Sequence, residues 1–339
     1  MDIALNGLGQ NSGNLLAAGQ LTLTAPQFTN QGLLQGRQIT VSGGQTAPVG
    51  GTSVSGGQTS PVGGTSVSGG QTAPVSGTSV SGNPSASIGA TFANSGTLRA
   101  VDGLTLGELA LLSNSGTLLS GGASQFSAAR LTNGGAIIAA SLQAGAATLS
   151  NSGTLNIAGA LTLNSVDMVN SGDISAGQTA LGAQTLINTG NVVADGNLGI
   201  TVEQLTNGGA LTADSLSFSG QNLVNGGTMD IAHEADIQTS QWQNNGAFRA
   251  GQVSAAGLSL SNSGELTGSD QLALGFDAGI TNSGALAANG PLSLTTGALN
   301  NSGTLSGDDD LSLSLGSLQN QGDILAGGTG DYHRRRCGQ

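Results

Sequence analysis

Leu149-Ser150-Asn151-Ser152-Gly153-Thr154-Leu155-Asn156-Ile157-Ala158-Gly159 is one statement of a phrase that returns along the whole chain. Its core is Asn-x-Gly, with an apolar residue two before the Asn and another four after it. The Asn recurs as Asn11, Asn30, Asn94, Asn114, Asn133, Asn151, Asn170, Asn188, Asn207, Asn225, Asn244, Asn262, Asn282, Asn301 and Asn320. Apart from one gap, between Asn30 and Asn94, the step is 18, 19 or 20 residues. A fixed period of that size marks a solenoid, in which each repeat is one coil that cannot bury its apolar face alone.

Aligning the coils on the Asn separates constrained positions from free ones. Four residues on, every coil is apolar, from Leu15 and Leu34 to Leu305 and Ile324. Two residues before the Asn, Gly9 is the one exception among fifteen. Between these slots fall alternating pairs such as Leu104/Leu106, Leu161/Leu163, Leu216/Phe218 and Leu292/Leu294. Alternation with period two is the strand signature, and no stretch keeps a helical period of 3.6. The reading is an all-β, right-handed parallel β-helix of about 15 coils, each made of two or three short strands between turns. Equivalent strands of successive coils pair in parallel at ~4.8 Å, so fifteen coils make a rod of roughly 70 Å.

The Asn-x-Gly fits a tight turn. Gly takes left-handed backbone at no steric cost, and Asn tolerates such turns while bonding nearby backbone. At the coil spacing the amides of Asn94, Asn114, Asn133, Asn151, Asn170, Asn188, Asn207, Asn225, Asn244, Asn262, Asn282, Asn301 and Asn320 can bond along the axis as a structural ladder. The residue three after the Asn is mostly polar (Thr97, Thr154, Asp173, Glu265, Asp323), as a solvent-facing slot requires.

Composition agrees. Gly numbers 59, aromatics are 2 % and charged residues 8 %, so polarity resides in small neutral side chains that suit tightly turned sheet. Regular apolar spacing argues against disorder. The net charge is −12 and Lys is absent, leaving no basic stripe for a phosphate backbone; nucleic-acid binding is excluded. The single Cys337 excludes an internal disulfide. No apolar run reaches the ~20 residues of a membrane span, and the first residues form no signal peptide, so an export signal is expected outside this chain.

Four segments follow: coils over 1–40, an insertion over 41–83, coils over 84–328 and a disordered basic tail over 329–339. The insertion contains three near-identical 13-residue units beginning at Val41, Val54 and Val67, each with a Pro (Pro48, Pro61, Pro74) that makes it a poor central strand. It reads as a low-complexity excursion from one loop, or a short run of minor coils. The tail holds the only Tyr, the only Cys and three of seven Arg. A basic partner-binding tail is the sharper reading of it.

Catalysis needs titratable groups brought together, and the inventory is thin: His233, His333, Cys337 and nineteen scattered carboxylates. His233 and Glu234 fall near Asp230 and Asp236, but nothing comparable stacks in the neighbouring coils, which favours a solvated acidic patch. Asp308-Asp309-Asp310 lacks the spaced oxygen ligands of a hard-cation site. Trp242 occupies the apolar slot two before Asn244 and reads as core. No catalytic residue, metal site or cofactor is assigned.

The phrase Leu-x-Asn-x-Gly-x-Leu, as at Leu149–Leu155, followed by Leu-x-Leu at Leu161–Leu163, resembles the filamentous haemagglutinin repeats of large bacterial exoproteins, over residues 1–40 and 84–328. The resemblance implies a shaft segment of a secreted or surface-exposed adhesin of a Gram-negative bacterium, non-enzymatic and acting in adhesion or display. It also implies the remainder of a larger exoprotein, a host glycan or protein receptor, and an outer-membrane two-partner transporter engaged through a domain not in this chain. The same shaft suits the stalk of a contact-dependent growth-inhibition toxin. A β-helical polysaccharide-cleaving enzyme is a third reading, and it requires carboxylates and basic residues gathered on adjacent coils. Uncapped terminal coils predict end-to-end self-association.

Overall fold

The computed structural model describes residues 1–43, 89–328 and 330–334. Among them there is no helix, and all 24 strands join one sheet whose pairings are parallel. Each coil stacks on the next in the register set by its Asn, so that Asn133, Asn151, Asn170 and Asn188 are direct cross-strand partners. The chain is a β-solenoid of about fifteen turns.

Most coils contain fewer breaks than the sequence reading expects. Thr154–Asn170 runs as one strand, as do Asp173–Asn188 and Asn191–Asn207, interrupted only at the Asn-x-Gly. The remaining corners are turned inside the strand, where one coil gains or loses a residue against its neighbour, as between Ala139 and Leu142 or Ala250 and Gln252. Such bulges bend a strand without ending its pairing. Coils with an extra Gly or Asp at that corner break further, giving Ala285–Ala288 and Leu292–Asn301, or Thr304–Gly307 and Leu311–Asn320.

The inward slots form one continuous core. Leu98, Leu118, Ile137, Leu155, Ile174, Val192, Leu211, Met229, Phe248, Leu266, Leu286 and Leu305 stack as a single buried column. Burying one such side chain contributes about 1.5–3 kcal/mol, which offsets the ordering of a coil only when the coils above and below cover it. Gly9, the exception in the column before the Asn, is filled from its neighbour: an added Cβ there would overlap the ring of Phe28 and the side chain of Leu5. Phe28 in turn stacks on Phe92, ring centres 6.2 Å apart.

The insertion does not disturb the stack. Gln27–Asn30 pairs directly with Thr91–Asn94, and Leu33–Gly43 with the following coil. Val41, placed at the start of the insertion by its repeat, belongs to the solenoid: it is buried, and its register partners are Leu23 and Leu106. The Val of the 13-residue unit satisfies the inward slot, and the described part of this strand runs to Gly43; residues 44–88, which hold the rest of the 41–83 insertion, lie outside the described residues. The two residues with left-handed backbone among those described, Gly89 (φ 109°) and Glu108 (φ 58°), flank this corner in adjacent coils. The tail also departs from expectation. Gly330–Arg334 pairs in parallel with Leu311–Leu315, because a parallel ladder asks only for backbone, whatever the side chains. Residues 329 and 335–339 lie outside the described residues.

Trp242 is buried between Leu223 and Leu260 in its column, edge-on to Phe248 at 5.1 Å. Ala235 and Ala255 take inward slots where the register partners in adjoining coils are Leu216 and Leu274. The Trp242 Nε1 has no hydrogen-bond partner. Trp242→Ala should therefore cost about 3–5 kcal/mol, whereas Trp242→Phe, which removes the unpaired N–H with little volume, should cost under about 1.5 kcal/mol. Denaturant titration followed by circular dichroism measures both, and equal losses would contradict the packing described.

Candidate functional site

The repeated phrase builds one buried polar element. Asn151 Nδ2 donates to Asn170 Oδ1 at 2.8 Å, and Asn170 Nδ2 donates in turn to Asn188 Oδ1 at 2.8 Å. The chain of bonds runs unbroken from Asn11 to Asn320, always from the earlier coil to the later. It crosses the insertion as Asn30 to Asn94 at the same 2.8 Å. In most coils Nδ2 also reaches the carbonyl of its own Gly, as Asn151 does Gly153 at 3.2 Å. From Asn11 to Asn301 each Asn main-chain carbonyl accepts from two amides of the next coil, as Asn151 does from Ser171 at 2.8 Å and Gly172 at 3.2 Å. Amide side chains, with both donor and acceptor, are the residue type that can repeat such a bond indefinitely.

The glycine two residues on has a different cause from the one expected. None of these glycines is left-handed; among the described residues only Gly89 is. What excludes a side chain is the coil beneath. A Cβ on Gly153 would overlap the carbonyl oxygen of Gly135, one on Gly172 that of Gly153, and the same holds down the column to Gly322. The period, rather than the dihedral, requires glycine.

The charged groups lie outside and pair between coils. The Arg37 guanidinium meets Asp102 at 2.8 Å across the insertion point. His233 Nδ1 lies 2.7 Å from Asp214 Oδ1 of the preceding coil. Arg249 donates from Nε and Nη2 to the two oxygens of Glu265, at 3.2 and 2.6 Å, with Asp230 3.6 Å away on its other side. The patch around His233 thus extends over neighbouring coils, contrary to the sequence reading. These partners are separated by 65, 19 and 16 residues, and only the register brings them together. Alignment on the Asn carried part of the signal: it puts Asp214 at the corner next to His233. The hydrogen bond from Arg249 holds the Glu265 carboxyl below its ordinary range, against a smaller opposing effect of burial; Glu265 likewise raises Arg249. All these side chains are substantially exposed. Among the described residues no three His, Cys, Asp or Glu gather as a metal site.

Two shallow grooves run along the axis. One, of about 590 Å³, crosses four coils past Thr105, Gln125, Gln143 and Asn164. The other, of about 600 Å³, follows the in-register row Gln204, Asn222, Gln241 and Ser259. Both present hydroxyls and amides at coil spacing and carry no acid or base, which suits hydrogen bonding and not proton transfer. Trp242 contributes to the second groove from beneath, as core. His333, Cys337 and the tail arginines Arg335 and Arg336 fall where no side chain is described.

Fold and ladder together define a structural solenoid rod. The haemagglutinin repeat profile matches residues 2–78, 79–141, 137–201, 169–233 and 277–334, and the chain belongs to that family. No curated protein and no solved structure matches it. Repeats of this kind are typical of secreted or surface-exposed bacterial proteins. Residues 234–276, between the matched stretches, carry the same ladder and the same parallel pairing.

Two outcomes follow for substitutions here. Asn170→Ala leaves the neighbouring Asn151 Nδ2 and Asn188 Oδ1 short of partners in a buried column and should cost about 1–3 kcal/mol, while Asn170→Asp should cost more at neutral pH than in acid, where the carboxyl is neutral. Glu265→Gln should cost less than about 1 kcal/mol because both partners are exposed. The folded Glu265 titrates below its unfolded value. Its contribution is therefore complete above the unfolded carboxylate range and is lost as pH falls through the folded one, and added salt weakens it. Thermal melts as a function of pH and salt measure each difference.

Proposed function

We propose that the chain is a non-enzymatic shaft segment of a large secreted or surface-exposed bacterial adhesin, whose role is to hold other parts of the exoprotein away from the cell. The observation that carries this reading is the unbroken fourteen-step Asn ladder, which keeps one pitch from Asn11 to Asn320 even across the insertion. Rods of this kind tolerate changes of length, because each repeat contacts only its neighbours. The two neutral grooves support the non-enzymatic part, since neither carries a titratable side chain, and in the open hollow lined by Asp230 and Arg249 the guanidinium stays protonated and supplies no base.

The isolated chain is further proposed to associate end to end. Supporting this, Leu8 is 78 % exposed at one end and Leu325 55 % at the other. Asn320 Nδ2 bonds only within its own coil, to Gly322 at 2.9 Å, and so retains a donor for an Asn acceptor of the Asn11 kind.

Excising residues 152–188, two whole coils, rejoins Asn151 to Thr189 in register. Electron microscopy of the product should show a rod shorter by ~10 Å that still unfolds cooperatively. Collapse of the fold on this excision would count against a modular shaft. Incubation with acidic polysaccharides should release no new reducing or unsaturated ends, and their appearance would overturn the non-enzymatic reading. Sedimentation at rising concentration should show growing species; a monomer throughout would refute end-to-end association.

A further inference from the structure

Asn followed directly by Gly occurs six times, at Asn6, Asn133, Asn207, Asn225, Asn245 and Asn289. An Asn-Gly pair is the dipeptide most open to intramolecular deamidation, because no side chain on the second residue hinders attack by its nitrogen. Four of the six are tied down by the solenoid. Gly134, Gly208 and Gly226 donate their amides to the Asn carbonyl of the preceding coil at 2.7, 2.8 and 2.7 Å. The side-chain amides of Asn133, Asn207 and Asn225 are buried in the ladder. At Asn245 the Oδ1 accepts from Ser263 at 2.8 Å, and Gly246 donates to Asn225 at 3.0 Å while packed against Gly227.

Asn6 and Asn289 differ from the ladder residues in exposure and from all four in hydrogen bonding. Both are exposed and lie in bends outside the strands, Asn6 between Asp2–Ala4 and Leu8–Asn11, Asn289 between Ala285–Ala288 and Leu292–Asn301. Neither side chain makes a hydrogen bond, and neither Gly7 nor Gly290 donates its amide, among the described residues. The Gly at 290 is also fixed by packing, since a Cβ there would overlap the carbonyl oxygen of Asp270. The stacking that demands glycine thereby leaves a labile pair at an exposed corner.

We propose that Asn6 and Asn289 are sites of spontaneous conversion to aspartate and isoaspartate, and that the folded solenoid protects the other four. The Gly290 nitrogen, its proton passing to solvent base, bonds to Cγ of Asn289; the Cγ–Nδ2 bond breaks and ammonia leaves with that proton. One water then opens the resulting succinimide at either carbonyl, so the net change is water in and ammonia out. Each event replaces a neutral amide by a carboxylate. At Asn289 it does so at the corner where Asp270 and Asp308 lie in the adjoining coils. The ladder pairs can react only after local opening, and their rates fall by the opening equilibrium.

The folded full-length chain, held at mildly alkaline pH and sampled over time, tests this by site-resolved peptide mass spectrometry with isoaspartyl methyltransferase labelling. Asn6 and Asn289 should convert at least about tenfold faster than Asn133, Asn207, Asn225 and Asn245, and in denaturant the six rates should converge. Asn289→Gln should remove the second signal and leave that at Asn6. Conversion of the ladder residues as fast as Asn289 in the folded chain, or a rate at Asn289 no higher than at Asn133, would overturn the proposal.

Discussion

The stack of Asn amides and the glycine column beside it set the pitch on which everything else depends. A parallel coil can bury its four to six inward side chains only if the next coil presents matching slots at the same height. The Asn bond at 2.8 Å fixes that height on the polar side of each coil. Gly153 against Gly135, and its equivalents, allow the turn to come close enough for the bond to form. Neither residue acts alone: a side chain at the glycine would push the coils apart, and loss of the amide would leave buried donors and acceptors unpaired. Substitutions in the two columns act through the same distance and are therefore expected to be strongly coupled.

That constraint explains how the chain absorbs irregularity. Asn30 and Asn94 are 64 residues apart in sequence, yet they bond as any two successive rungs of the ladder do. Left-handed backbone appears in Gly89 and Glu108 and nowhere else among the described residues. Size changes in the core are handled locally, Phe28 occupying the space at Gly9 and Trp242 packing against the rings of Phe248 and Phe276 in the following coils. A quasi-one-dimensional molecule confines each adjustment to the coils on either side.

The surface is correspondingly free to vary. Ion pairs such as Arg249 with Glu265 join adjacent coils but are exposed, so they tune the surface more than they hold it. The neutral grooves and the polar slots after each Asn carry the chemical variety of the chain. This division, an invariant seam and variable faces, suits a family of rods whose specific contacts are supplied by outward side chains or by neighbouring segments.

The amino-acid sequence by itself determined the period, the inward slots and the parallel β-solenoid, because an apolar residue four after each Asn and alternating Leu pairs leave one way to bury them. It also placed Trp242 in the core and picked out the Asn residues of the ladder. Only the tertiary structure decided three things. The glycine is needed for contact with the coil below, since a dihedral cause and a steric one leave the same letter in the sequence. Val41 belongs to a coil and Gly330–Arg334 to a strand, because parallel pairing is a backbone property that the side-chain pattern does not report. Asp214 meets His233 at a corner where the register changes by one residue, and Arg249 meets Glu265 on the diagonal, two places before its register partner Thr267; packing of the exposed side chains selects these contacts, and the spacing of the repeat does not.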